Sequence, residues 1–158
     1  MHLHFILAIV IIGFAAGLRS MTSPAVVAWT AYLGRLSLGS TSLSFMASPI
    51  TVGILTLLAV GEFIADLLPN TPNRTSAVGL IARIITGSFC GACLAVATGN
   101  SIAFGLIGGV AAAGGAFAGY QIRTSLVRSL GVKDAFIAIP EDLVAIGLAI
   151  ASVCLVSS

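Results

Sequence analysis

The chain has 158 residues, 58% of them hydrophobic and 8% charged, with a net charge of +2 and a mean hydropathy of +1.15. A soluble domain carries about 25% charged residues, and one of this size buries only about 70% of its surface, too little to hide so much apolar side chain. These figures exclude a water-soluble enzyme, a disordered tail and a basic nucleic-acid binder; they imply an all-α polytopic membrane protein, one integral domain over residues 1–158.

A bilayer crossing takes about 20 mainly apolar residues. The first such stretch is residues 3–18, stopped by Arg19-Ser20. His2 and His4 precede it where a signal peptide has Lys or Arg, and the chain behind is equally apolar, so it reads as a retained span. Ser23-Pro24 then opens a helix of about a dozen residues, 25–36, too short to cross and therefore re-entrant, interfacial or buried. The second span, 49–68, is opened by Pro49 and closed by Pro69-Asn70. After the 70–75 loop, Thr75 or Ser76 caps a third span that reaches Thr98. Gly99-Asn100-Ser101 turns the chain into the fourth, 102–120. A second short helix, 124–130, carries Arg128 just beyond Arg123 and suits the headgroup region; the last span, 140–156, starts at Pro140. The count is five spans with two short re-entrant or interfacial helices.

The pattern Gly13-x-x-Ala16-Gly17-x-x-x-x-Thr22-Ser23 recurs as Gly115-x-x-Ala118-Gly119-x-x-x-x-Thr124-Ser125. Each copy leads through a short helix to a proline-started span, so repeat copies are expected to begin near 13 and 115. With three spans between their starting points, the second copy would be inverted, a plan that recurs in transporters. Chance matching in a Gly/Ala-rich chain is the competing explanation. On five spans, Arg74, Arg123, Arg128 and Lys133 fall on the N-terminal side and Arg19 and Arg35 on the other. That bias puts the N-terminus in the cytoplasm and the C-terminus outside.

Ionisable residues within spans are the informative ones, since an Arg or Asp at a helix centre costs roughly 2.5–3.5 kcal/mol on insertion scales. Glu62 and Asp66 are four apart on one face of the second span, and Arg83 lies at matching depth in the third. An antiparallel hairpin lets Arg83 pair with either. Arg83 shares its face with Gly79, Gly87 and Gly91, a small-residue stripe expected to face protein. Such a group reads either as a buried structural ion pair or as a site for a proton, ion or anionic group. Glu141-Asp142, after Pro140, reads as first-turn capping or as part of one vestibule with Arg123 and Arg128. Arg19, with Ser20, Thr22 and Ser23 at a polar break, either snorkels to the interface or helps seat a polar group at the next helix start.

Cys90-Gly91-Ala92-Cys93 has redox-pair spacing, but Cys154 is the one remaining cysteine, and small residues suit plain helix packing. Gly105-x-x-x-Gly109 and Gly115-x-x-x-Gly119 predict close helix packing within the fold or across a homo-oligomer. Trp29 and Tyr32 read as interfacial anchors. No metal-ligand, Walker, Rossmann or zinc-protease pattern occurs, so no cofactor and no metal is expected.

Gly17-Leu18-Arg19-Ser20 with Pro24, then Gly61-Glu62-x-x-x-Asp66-x-x-Pro69, Pro72-x-Arg74-Thr75 and Arg83, resemble a family of small bacterial membrane proteins described as a domain of unknown function (DUF4126). The resemblance covers most of the chain and is most specific between Gly61 and Arg83. It implies a bacterial inner-membrane protein and assigns no substrate, cofactor or residue role. From the residues themselves, the leading expectation is a small channel or transporter, oligomeric through its Gly-rich helices. Its small polar or charged solute, moved with or without proton coupling, would meet a site of Glu62, Asp66 and Arg83. Arg19, Arg123, Glu141 and Asp142 would contribute, with the lipid bilayer as surroundings and no nucleic acid as partner. A non-catalytic scaffold or accessory subunit is the second expectation, and a membrane-embedded lipid- or thiol-acting enzyme the third.

Overall fold

The computed structural model of the chain describes residues 2–66, 77–131 and 134–157. Arg74, Lys133, the 70–75 loop, the Thr75 or Ser76 cap and the Pro69-Asn70 stop lie outside them. Six α-helices occur among the described residues, with no strand: α1 His2–Leu18, α2 Thr22–Tyr32, α3 Pro49–Asp66, α4 Ala77–Ala97, α5 Gly105–Leu130 and α6 Asp134–Ser157. Four segments are long and apolar enough to cross a membrane, Pro49–Asp66, Ala77–Ala97, Ile102–Ser129 and Ile137–Ser157, and Leu3–Leu18 is a shorter apolar helix. The protein is a multi-pass helical membrane protein.

The centre of the bundle is α1, because its apolar residues run all the way round rather than along one stripe. Ala8, Ile9, Ile12, Ala15 and Ala16 are fully buried, which is how a helix without a polar face is accommodated. Two of its neighbours come close through glycine. A Cβ on Gly13 would lie 2.7 Å from Gly108 Cα, and one on Gly17 would lie 2.8 Å from Gly115 Cα, both on α5. Gly105 and Gly109 face Ser88 on α4 in the same manner. These glycines therefore serve packing inside the fold, where backbones that approach closely gain dispersion contacts that lipid cannot offer.

The glycine pairing also sets direction. Gly13 meets Gly108 and Gly17 meets Ala112 and Gly115, so α1 and α5 run parallel. The two copies of the repeated pattern are consequently not upside down relative to each other, and the inverted arrangement expected from the span count does not hold. The direction of the chain is set in the first half. After the break at Arg19, α2 turns back antiparallel to α3: Ser20 meets Glu62, while Trp29 Nε1 donates to Thr56 Oγ1 at 3.0 Å. With 11 residues α2 covers about 16 Å, half a bilayer. An irregular segment with a 3₁₀ turn at Ser44–Ala47 continues to Pro49. Leu36, Leu38 and Met46 anchor this segment to the core, while most of the residues between them are exposed. The chain thus returns through α2 and the irregular segment, and the C-terminal ends of α1 and α3 lie at the same end of the bundle.

Two further boundaries differ from the sequence expectation. Residues 124–130 are the last turns of α5 rather than a separate helix, and α5 ends at Gly131 in the left-handed conformation (φ 61°). The last helix begins at Asp134, so Pro140 lies inside it and Glu141-Asp142 are not first-turn caps. Proline there removes one N–H from the helical ladder and locally loosens α6 beside its two acids.

Candidate functional site

Where α1 gives way to α2, the chain leaves helical backbone at Arg19-Ser20-Met21. Helix starts expose N–H groups that normally need a capping side chain. Met21, at the cap position of α2, makes no side-chain cap. Glu62 of α3 supplies it instead. Its Oε1 accepts from Ser20 N (2.9 Å) and Ser20 Oγ (2.8 Å), and its Oε2 accepts from Met21 N (2.9 Å). An anion there is also favoured by the helix dipole, by about 0.3–1 kcal/mol. The carboxylate of Glu62 is thus spent on the α1–α2 break, and the Glu62–Arg83 pair allowed by the hairpin does not form.

Arg19 is 1% exposed, so it does not snorkel. Its Nη2 pairs with Asp66 Oδ2 at 2.9 Å and with Asp142 Oδ1, and its Nη1 donates to the Glu62 carbonyl at 3.4 Å. The guanidinium lies 5.3 Å from the Phe63 ring centroid, within cation–π range. Asp66 Oδ2 is shared, because Arg123 Nη1 reaches it at 2.8 Å and lies 3.5 Å from Glu141 Oε2. In these ion pairs three carboxylates share two guanidiniums drawn from α3, α5, α6 and the α1–α2 break. Side-chain exposure across the group is between 1% and 18%, so each charge is largely withdrawn from solvent.

Six of the seven residues expected at the site therefore meet: Arg19, Glu62, Asp66, Arg123, Glu141 and Asp142. Arg83 is buried on α4, one turn before Gly87 on the face turned to α5, and its Nη1 donates to the Gly79 carbonyl at 3.4 Å. Arg19 stands at the centre, where the five-span count had it on the opposite side from Asp66. Sequence reasoning placed free N–H groups at the start of α2 as an anion seat but missed Phe63 and missed that the anion is the carboxylate of Glu62. Thr22 Oγ1 and Arg19 Nε, both buried beside the break, have no hydrogen-bond partner among the described residues. No group of three or more His, Cys, Asp or Glu among the described residues is arranged to hold a metal ion.

A half-open cavity of about 310 Å³ adjoins the cluster between α5 and α6, with α1 behind it. Phe14, Leu18, Ile122, Leu126 and Val144 give it apolar walls, and Arg123 and Glu141 complete the lining, which is apolar almost throughout. The cysteine pair lies elsewhere, in the dry core against Ile9 and Ile12, where Cys90 and Cys93 are fully buried. N-Ethylmaleimide is expected to label exposed Cys154 in the folded protein and to reach Cys90 and Cys93 only after denaturation, read by intact mass. Labelling of all three without unfolding would show that the core opens.

The family profile described as "Domain of unknown function (DUF4126)" matches residues 6–155. The chain belongs to the DUF4126 family. That match takes in every described residue of the cluster, from the Arg19 break to the Glu141-Asp142 pair on α6. No curated protein and no solved structure matches the chain.

Proposed function

We infer that this DUF4126 protein is a small channel or transporter that carries a polar or charged solute past the charged cluster, with proton uptake by a carboxylate as the coupled step. The observation that supports it is Asp66 bridging Arg19 and Arg123, with Asp142 and Glu141 as the competing acceptors. Buried carboxylates that share guanidiniums form a switch: neutralising one hands its arginine to the next. Protonation of Asp142 would leave Arg19 to Asp66 and loosen the hold of Asp66 on Arg123. Since these groups sit on four different chain segments, beside a helix break and a proline-loosened turn, each exchange pulls on helix packing. Intramembrane ionisable groups are costly and mark ion or solute pathways for that reason.

The bacterial inner membrane is the proposed location, as the family resemblance implies. Arg19, Arg123 and Arg128 lie toward the cluster end, and Arg35 lies beyond α2. The positive-inside bias then favours a cytoplasmic cluster with both termini outside, reversing the N-terminus-inside reading of five spans. A homo-oligomer would form through an exposed apolar face such as that of α3, where Ile50, Leu57 and Ile64 are more than half exposed, since Gly105, Gly108, Gly109 and Gly115 of α5 are used inside the fold.

The test is proton flux into vesicles holding the purified protein and a trapped pH dye, driven by an imposed potential. Wild type is expected to exceed empty vesicles, and Asp142→Asn, in which Asp66 still pairs with Arg19, to fall to their level while remaining folded by circular dichroism. Flux of wild type equal to that of empty vesicles sinks the transport reading. The mutual pairing of the charges favours a non-catalytic scaffold as the second reading. Under it, Glu62→Gln costs about 1 kcal/mol through the lost α2 cap and changes nothing else.

A further inference from the structure

We propose that the cavity between α5 and α6 is a lipid site, occupied by one acyl chain of a bilayer lipid that enters sideways from the surrounding membrane. Such a site exists whether or not the protein moves a solute. Its shape follows from how the helices pack. α5 rests chiefly on α4 and α1, and α6 chiefly on α1, so the two lie side by side on the central helix with little contact between them. Ile122 and Leu126 of α5 stand across from Pro140 and Val144 of α6, and Phe14 and Leu18 of α1 form the floor of the gap.

The lining decides what fills the gap. Arg123 and Glu141 border it, but both are engaged in the charged cluster, and the surface presented is apolar almost throughout. Water settles in a cavity where it finds roughly two to four polar partners, which this lining does not offer. A cavity of about 150 Å³ with such walls stays dry and takes benzene, and this one, at about 310 Å³, has room for a longer apolar body. Left empty, it would deprive its walls of the dispersion contacts that a close-packed interior supplies. A charged or sugar-like guest would lose hydration with nothing in return. The complement of this lining is an uncharged hydrocarbon.

The bilayer is the source of that hydrocarbon. Both walls belong to segments long and apolar enough to cross a membrane, Ile102–Ser129 and Ile137–Ser157. The rim residues Ile122 (58% exposed) and Val144 (53%) carry the outer apolar surface of the bundle into the half-open cavity without a polar break. That outer surface already meets lipid tails, so the site is continuous with the interface between protein and bilayer. Tails and walls are equally apolar, and the gain is therefore one of packing: a chain in the gap restores the contacts that a void forfeits. The cavity abuts the last turn of α1 and borders Arg123 and Glu141, which places the chain in the leaflet on the side of the charged cluster.

The experiment is photolabelling of the full-length protein in nanodiscs with a phosphatidylcholine that carries a diazirine on one acyl chain, the labelled positions being read by peptide mass spectrometry. Labels are expected on Ile50, Leu57 and Ile64 of α3, which face outward, and on Phe14 and Leu18 of α1, which a chain reaches by way of the cavity. Val144→Trp fills the gap from α6 and Ile122→Trp fills it from α5, and both leave every charge in place. Each is expected to lose the labels on Phe14 and Leu18 and to keep those on α3, with a wild-type elution volume to report the folded state. Wild type labelled on α3 but not on Phe14 or Leu18 overturns the proposal, and if that protein also runs as a dimer the cavity belongs to a second copy of the chain. Undiminished labels on Phe14 and Leu18 in both filled variants overturn it as well, because the chain then arrives by another path.

Discussion

Replacing Arg19 by Gln is expected to destabilise the protein by about 3–5 kcal/mol, the cost of breaking a buried ion pair from one side. The guanidinium holds Asp66 and Asp142, donates to the Glu62 carbonyl and covers Phe63 while 1% exposed. Removing it leaves two carboxylates facing each other in a low-dielectric interior. Arg19→Lys restores the charge but not the reach, because one compact ammonium cannot span both aspartates in the planar manner of a guanidinium. Its expected stability lies between wild type and Gln. The double variant Arg19→Gln with Asp142→Asn removes one of the stranded charges and should recover part of the loss. Unfolding in mixed detergent, followed by circular dichroism, measures all three; an Arg19→Gln midpoint equal to wild type would mean the pairing contributes nothing to the fold.

The second large effect is expected at Gly17. A Cβ there would lie 2.8 Å from Ala116 N and 2.8 Å from Gly115 Cα, which are backbone atoms and cannot rotate aside. Gly17→Val therefore forces α1 and α5 apart, and the helix that moves carries Arg19 two residues later. Overpacking by itself costs about 1–3 kcal/mol and occasionally more; with the ion pairs displaced as well, failure to accumulate as folded protein is the expected result. Gly114→Ala on α5 is the control. Nothing lies within 4 Å of the added methyl, so its stability should match wild type or exceed it slightly, since alanine is the better helix former. Size-exclusion profiles of the two variants in one detergent decide it. A monodisperse Gly17→Val with a wild-type midpoint would show that α1 and α5 do not need their close approach.

How much could be read in advance follows the physics of each feature. Composition sets membrane residence, and uninterrupted apolar runs place α3 and α4 to within two residues, because both properties are summed over a segment and need no knowledge of neighbours. The acids and arginines of the site were legible for a related reason: a charge in an apolar run is expensive wherever it packs, so Arg19, Glu62, Asp66, Arg123, Glu141 and Asp142 announced themselves by cost alone. Pairing was not legible. Whether Glu62 meets Arg83 or the start of α2 depends on where α2 goes, and an 11-residue helix followed by irregular chain carries no hydropathy signal for its direction.

What the amino-acid sequence determined by itself is therefore the solvent this protein lives in, its all-helical class, and the residues that must be accommodated at a cost. Tertiary structure alone decided the rest. The return of the chain through α2 brought Arg19 to the same end as Asp66 and Asp142 and left the copies of the glycine pattern parallel. Glu62 became a cap because the Met21 side chain makes none, and Gly119 let Leu18 of α1 and Glu141 of α6 come close to α5. Hydropathy is additive along the chain, whereas partner choice depends on the mutual position of segments far apart in it, which only packing sets.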